Sequence, residues 1–300
     1  ALGMGTLLHS TPDVPGSMQL YISGAPNAWH LLASPVTGQA INAHFTTSAK
    51  FFGWHEPAQT WVNIQNTTVF PTWSAVNNAS ANFLPQKGYL VAYDFAPGEN
   101  PTKTFQGTLN QGAINFTMSR GANLSDTYEG YNLIANPYPS VIDWKAASGW
   151  SNRESRLAAS GGGYNIWIWN QAGQNYGAFN TAMDENDPDF TPVLQVGRYI
   201  SAMQGFWVQA VNETNSITIP LAARTHDATT AWNKSTPSGH ILLAAKDLES
   251  GMEQESRIRF NPGATAGFDL QYDSRFMAWY APQFYSLAGT EKLSTNTLPQ

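Results

Sequence analysis

The sequence predicts an all-β chain: two tandem β-sandwich units, jelly-roll-like, followed by a third β unit that is incomplete. Three observations carry this reading. Apolar residues recur at every second position in short runs closed by Gly, Pro, Asn or Asp. Helix signals are sparse by comparison. Most tellingly, one set of landmarks occurs twice in the same order, about one domain length apart. Trp29-His30-Leu31-Leu32-Ala33-Ser34-Pro35-Val36 matches Tyr131-Asn132-Leu133-Ile134-Ala135-Asn136-Pro137-Tyr138, with Tyr131 lying 102 residues after Trp29.

Composition sets the outer bounds. The chain has 300 residues, more than one core usually serves, so two or three domains are expected. Hydrophobic residues make up 42%, enough to bury cores, whereas charged residues reach only 12%. That share is about half the usual one for a soluble domain, so Asn, Gln, Ser and Thr must build the polar surface. The balance is common in secreted, strand-rich bacterial proteins. The absence of Cys removes disulfides, thiolate metal sites and Cys nucleophiles together. A net charge of −6 argues against nucleic acid and anionic membranes as partners. No apolar run is long enough to predict a transmembrane segment. The opening Ala1-Leu2-Gly3-Met4-Gly5 lacks the basic flank and apolar core of a signal peptide, and is expected to be an internal piece of a longer polypeptide.

Residues 1–24 read as a leading strand or extension. In it Met18, Leu20 and Ile22 share one strand face, and the segment before Gly16 has no face of its own. The first repeat covers 25–126. Trp29 to Ala33 is a short buried strand ended by Pro35, which cannot donate to a ladder. Phe51-Phe52-Gly53-Trp54 and Thr60-Trp61-Val62-Asn63-Ile64 flank His55-Glu56-Pro57-Ala58-Gln59 as a hairpin. Gly88 to Tyr93 is the next strand, and Ala113 to Met118 closes the unit with Ile114, Phe116 and Met118 inward.

The second repeat, 127–232, replays this order. Tyr131 to Ala135 opens it, and Asn165 to Tyr176 forms its hairpin, with Trp169 aligned to Trp54 and Tyr176 to Trp61. Gly205 to Ala210 matches Gly88 to Tyr93, now 117 residues on, and Ser216 to Leu221 matches the closing strand. The added length fits a longer linker around Ser160-Gly161-Gly162-Gly163 and an acidic loop near 184–189. The third unit, 233–300, offers strands at His240 to Ala245, Ser256 to Phe260, Ala278 to Tyr280 and Phe284 to Leu287, few for a closed sandwich.

Several of these blocks together resemble repeat regions of large cell-surface proteins exported by the type IX secretion system. They are Gly130 to Ser140 with Ile142-Asp143-Trp144, then Ile168-Trp169-Asn170, then Met203-Gln204-Gly205-Phe206-Trp207-Val208. Trp29 to Gln39 with Ile41-Asn42 resembles the unit that precedes these, and Arg257 to Phe260 with Phe268-Asp269 and Leu298-Pro299 resembles the one that follows. The resemblance implies an extracellular or bacterial cell-surface location and no assigned activity. In similar proteins the chain runs on to a sorting domain.

Three candidate sites stand against plainer readings. Asp184, Asp187 and Asp189 lie in Met183-Asp184-Glu185-Asn186-Asp187-Pro188-Asp189, whose alternate carboxylates suit Ca²⁺ or simply solvate a loop. Trp167, Trp169 and Tyr176 are a candidate stacking platform for surface glycans, the plain alternative being core packing. In Asn136-Pro137-Tyr138-Pro139-Ser140 the prolines and an Asn cap predict a rigid corner after a buried strand. No nucleophile elbow or zinc-binding helix is found: His55-Glu56-Pro57 lacks a second His, and Pro57 breaks the helix such a site needs. For glycoside cleavage, Asp94, Glu129 and Asp143 are the interior carboxylates, and nothing in the sequence pairs them.

The functional expectation is a non-enzymatic structural or adhesive surface protein. In a sharper form, the head of one chain completes the tail of the next by β-strand addition, giving a homopolymer through edge strands. A glycan-binding module is the alternative, and a secreted glycoside hydrolase or peptidase a third.

Overall fold

The computed structural model describes residues 5–22, 28–45, 50–92, 101–121, 128–146, 150, 152–170, 175–183, 197–212, 214–226, 240–249, 253–269, 272–276 and 283–299. Their strands are β1 (Pro15–Tyr21), β2 (Trp29–Leu32), β3 (Val36–Thr37), β4 (Lys50–His55), β5 (Thr60–Asn63), β6 (Tyr89–Ala92), β7 (Thr102–Leu109), β8 (Ile114–Ser119), β9 (Tyr131–Ala135), β10 (Val141–Asp143) and β11 (Ala159–Ser160). They continue with β12 (Gly163–Asn170), β13 (Asn175–Asn180), β14 (Tyr199–Ile200), β15 (Gly205–Gln209), β16 (Thr214–Ile219), β17 (Arg224–Thr225), β18 (His240–Lys246), β19 (Glu253–Phe260), β20 (Ser274–Arg275), β21 (Ser286–Ala288) and β22 (Glu291–Leu298). The α-helices among the described residues are single turns, α1 (Trp73–Val76) and α2 (Arg153–Arg156). The chain is all-β.

Contacts group it into two compact units, one formed by Ala1–Ala158 with Tyr199–Ala231, the other by Ala159–Arg198 with Trp232–Gln300. These units cut across the repeat boundaries read from the sequence. Pairing between the repeats holds parts of both in the first unit. β8, which closes the first, is antiparallel to β16, which closes the second, over six residues from Ile114↔Ile219 to Ser119↔Thr214.

Within the first unit the repeats fold alike. Leu31↔Leu90 and Leu32↔Tyr89 align β2 with β6, and the corresponding Leu133↔Trp207 and Ile134↔Phe206 align β9 with β15. The corner after each opening strand is also shared. The Val36 N–H donates to Ser34 Oγ at 3.2 Å, and the Tyr138 N–H donates to Asn136 Oδ1 at 3.0 Å, both closing a tight polar turn around the proline. The predicted Asn cap is present and reaches further, since the Asn136 amide also donates to the carbonyls of Ser140, Ile200 and Ser201 at 2.8, 3.1 and 3.0 Å.

The repeated glycine has a reason the sequence does not disclose. A Cβ on Gly88 would lie 2.6 Å from the Ile134 carbonyl oxygen, and one on Gly205 would lie 2.8 Å from Leu31 Cβ. Each repeat thus presses its glycine against the opening strand of the other. The Gly88 N–H donates to the Leu133 carbonyl at 3.2 Å and the Ala33 N–H to the Met203 carbonyl at 2.9 Å, binding the two copies in both directions.

The core of the first repeat is aromatic. Phe51 meets Phe45 and Tyr89 at 5.2 and 5.3 Å between ring centres, and Phe83 meets Tyr89 and Phe105 at 5.3 and 5.7 Å. The Tyr89 hydroxyl donates to Asn77 Oδ1 at 2.6 Å, which satisfies it inside an apolar site. The leading segment belongs to this unit. β1 pairs with β7 along its whole length, Pro15↔Thr108 to Tyr21↔Thr102, and the Leu7 N–H donates to the Pro139 carbonyl at 2.7 Å. Strand β7 escapes the sequence reading because Phe105 and Leu109 are its only apolar side chains.

In the second unit β12 pairs with β13, with Trp169 directly across from Tyr176. This repeats Trp54↔Trp61 between β4 and β5, as the alignment of the repeats requires. The rings of both pairs meet edge to face, at 5.1 Å and 64° against 5.3 Å and 66°. A further sheet runs β18-β19-β22-β20, with β21 also on β22. The predicted strand at Ala278 to Tyr280 lies outside the described residues.

Candidate functional site

Trp167, Trp169 and Tyr176 are 2%, 8% and 2% exposed. A sugar-stacking platform needs open ring faces, so this expectation is corrected: the three rings are packing elements. The alternation of Trp and Ile along β12 suggests one covered and one open face. In fact Ile166 is buried together with Trp167 and Trp169, so both faces are covered. Period-two patterning cannot distinguish these cases. Asp184, Asp187 and Asp189 lie outside the described residues, among which no cluster of three His, Asp or Glu side chains could hold a metal.

The carboxylates considered for hydrolysis have structural partners. Glu129 is bidentate to Arg120 at 3.2 and 3.0 Å, and Asp143 Oδ1 accepts the Lys145 N–H at 2.9 Å. Asp94 lies outside the described residues. Glu56, at 3% exposure, clamps the backbone: Gly121 N–H bridges its two oxygens at 3.0 and 2.9 Å, and Gly130 N–H reaches Oε1 at 2.7 Å. His55 Nδ1 accepts the Ala58 N–H at 3.2 Å across the intervening 3₁₀ turn. His55-Glu56-Pro57 is therefore a turn whose side chains secure backbone.

The feature that packing leaves open is β18. It stands at the end of its sheet and pairs with β19 from His240↔Arg259 to Lys246↔Glu253. Among the described residues nothing pairs with its other edge. Ile241, Leu242 and Leu243 are 50%, 42% and 43% exposed, so adjacent positions on opposite faces are both open. Leu248, in the turn that follows, is 92% exposed. A strand buried against a core hides one face at least; this one hides neither. An open, apolar edge without proline is a template for another strand, since among the described residues its outward N–H and C=O groups have no strand beside them. The sequence names β18 as a strand. It gives no sign that the strand lies at the edge.

Residues 25–299 match the sequence profile of a family described as "Domain of unknown function (DUF8693)". No curated protein and no solved structure matches the chain.

Proposed function

With the chain a member of that family, whose description carries no activity, we propose a non-enzymatic structural and adhesive role at an extracellular bacterial surface, with copies assembling edge to edge through β18. The observation that carries this is the exposure of Ile241, Leu242 and Leu243 on a strand whose outer edge is unpaired among the described residues. In an antiparallel pair of β18 strands centred on Leu243, Ile241 would face Ala245 and Leu242 would face Ala244. Large side chains then meet small ones across the join. The low charge content and the resemblance to type IX secretion cargo favour a surface setting.

The leading segment is seated on its own unit through β7, Pro139 and Arg224, so we assign strand addition to β18 instead of residues 1–15. Sedimentation velocity on the full chain tests this. The native chain should associate as its concentration rises, and an Ile241→Lys/Leu243→Lys variant should stay monomeric with an unchanged melting temperature. A native chain that remains monomeric at about 100 μM, or a variant that associates equally, overturns the reading.

A further inference from the structure

A cavity of about 200 Å³ opens in the first unit between the β4 turn, α1, β8 and β9. Its polar lining includes His55, Glu56, Gln86, Lys87, Thr117 and Asn132. Most of the acceptors are already spent. Glu56 holds the N–H groups of Gly121 and Gly130, and Asn132 Oδ1 accepts the Ser119 N–H at 3.0 Å while its amide donates to the carbonyls of Ser119 and Gly130.

The donors are left over. Among the described residues no hydrogen bond or ion pair engages the side chains of Lys87, Gln86 or Thr117. Since His55 Nδ1 is an acceptor, the neutral ring carries its proton on Nε2 as a further donor. The Glu56 carboxylate lines the same cavity but is taken up by backbone N–H groups, so the half-buried Lys87 ammonium, with the donors of His55, Gln86 and Thr117 beside it, fits a negatively charged guest. The volume is several times that of one water and suits a small organic acid.

We propose that this cavity binds a small carboxylate, with Lys87 as its counter-charge and His55, Gln86 and Thr117 as additional hydrogen-bond partners. Burial holds the Lys87 ammonium below its ordinary range. His55 is lowered too, first by burial and then by Lys87, while Glu56 acts in the opposite sense. Both shifts come first from burial, and a carboxylate bound beside Lys87 would offset that cost for each cation.

The test uses the full chain with acetate and succinate, compared with sodium sulfate and sodium chloride at equal ionic strength. Binding is followed by calorimetry, and Lys87 by mass-spectrometric rates of amine acylation. Saturable carboxylate binding with a dissociation constant of about 1 mM is expected, weakened at least tenfold by Lys87→Met and unchanged by Lys246→Met. Succinate should also slow acylation of Lys87 in the native chain, a measurement that needs no variant. Equal binding to Lys87→Met, no protection of Lys87, or a preference for sulfate each overturns the proposal.

Discussion

Replacing Glu56 by Ala isolates a single carboxylate that secures two backbone donors from distant parts of the chain. Hydrogen bonds to a charged acceptor contribute about 1.5–3 kcal/mol each, and an orphaned buried donor costs a similar amount. Gly121 N–H divides itself between the two oxygens, so two donors are lost. Water from the adjoining cavity can reach the vacated site, which favours the lower end of the range. We expect a loss of about 3 kcal/mol, with Glu56→Gln, which keeps one oxygen, losing about half of that. The first unit has roughly 190 residues, so each kcal/mol moves its melting temperature by about 2–4 °C. Glu56→Ala should therefore melt about 6–12 °C lower in differential scanning calorimetry. A shift within about 1 °C of the native chain would show that the clamp contributes nothing, and would refute the reasoning.

Three other outcomes can be measured in the same way. Asn136→Ala should lower stability by about 3 kcal/mol in urea unfolding, because three carbonyls and the Tyr138 N–H lose a buried partner together. Gly130→Ala should cost at least about 2 kcal/mol, because Gly130 has a φ of +78° and a Cβ there would lie 2.4 Å from the Ala210 carbonyl oxygen. Asp273 is raised to about 6, chiefly by burial, against the N–H bonds from Asp269 and Thr297 that favour its anion. Between pH 4 and 6 the folded state then binds more protons than the unfolded one, so this group makes stability fall as pH rises through that window. Melts of the native chain should show that slope for the second unit, and Asp273→Asn should flatten it.

Much of the architecture is legible in the residues. The match of Trp169 to Trp54 and Tyr176 to Trp61 becomes two cross-strand ring pairs of nearly the same geometry. The proline corners become two equivalent polar turns. These features are local, and local chemistry leaves a mark on sequence. The burial of Trp167 leaves none, because alternation reports a strand without reporting what covers it. Nor does the edge position of β18: Ile241-Leu242-Leu243 reads like the interior of a sheet. Glu56 is similarly silent, since its partners Gly121 and Gly130 are 65 and 74 residues away.

The reciprocal seating of Gly88 and Gly205, together with the β8–β16 join, makes the repeats behave as a dimer whose subunits share one polypeptide. Severing the chain between residues 126 and 127 would turn that join into a bimolecular association, and each half would carry a raw strand and an uncovered glycine face. The peptide link supplies an effective concentration that neither half could reach by diffusion. The tether between the copies is thus part of what keeps them folded.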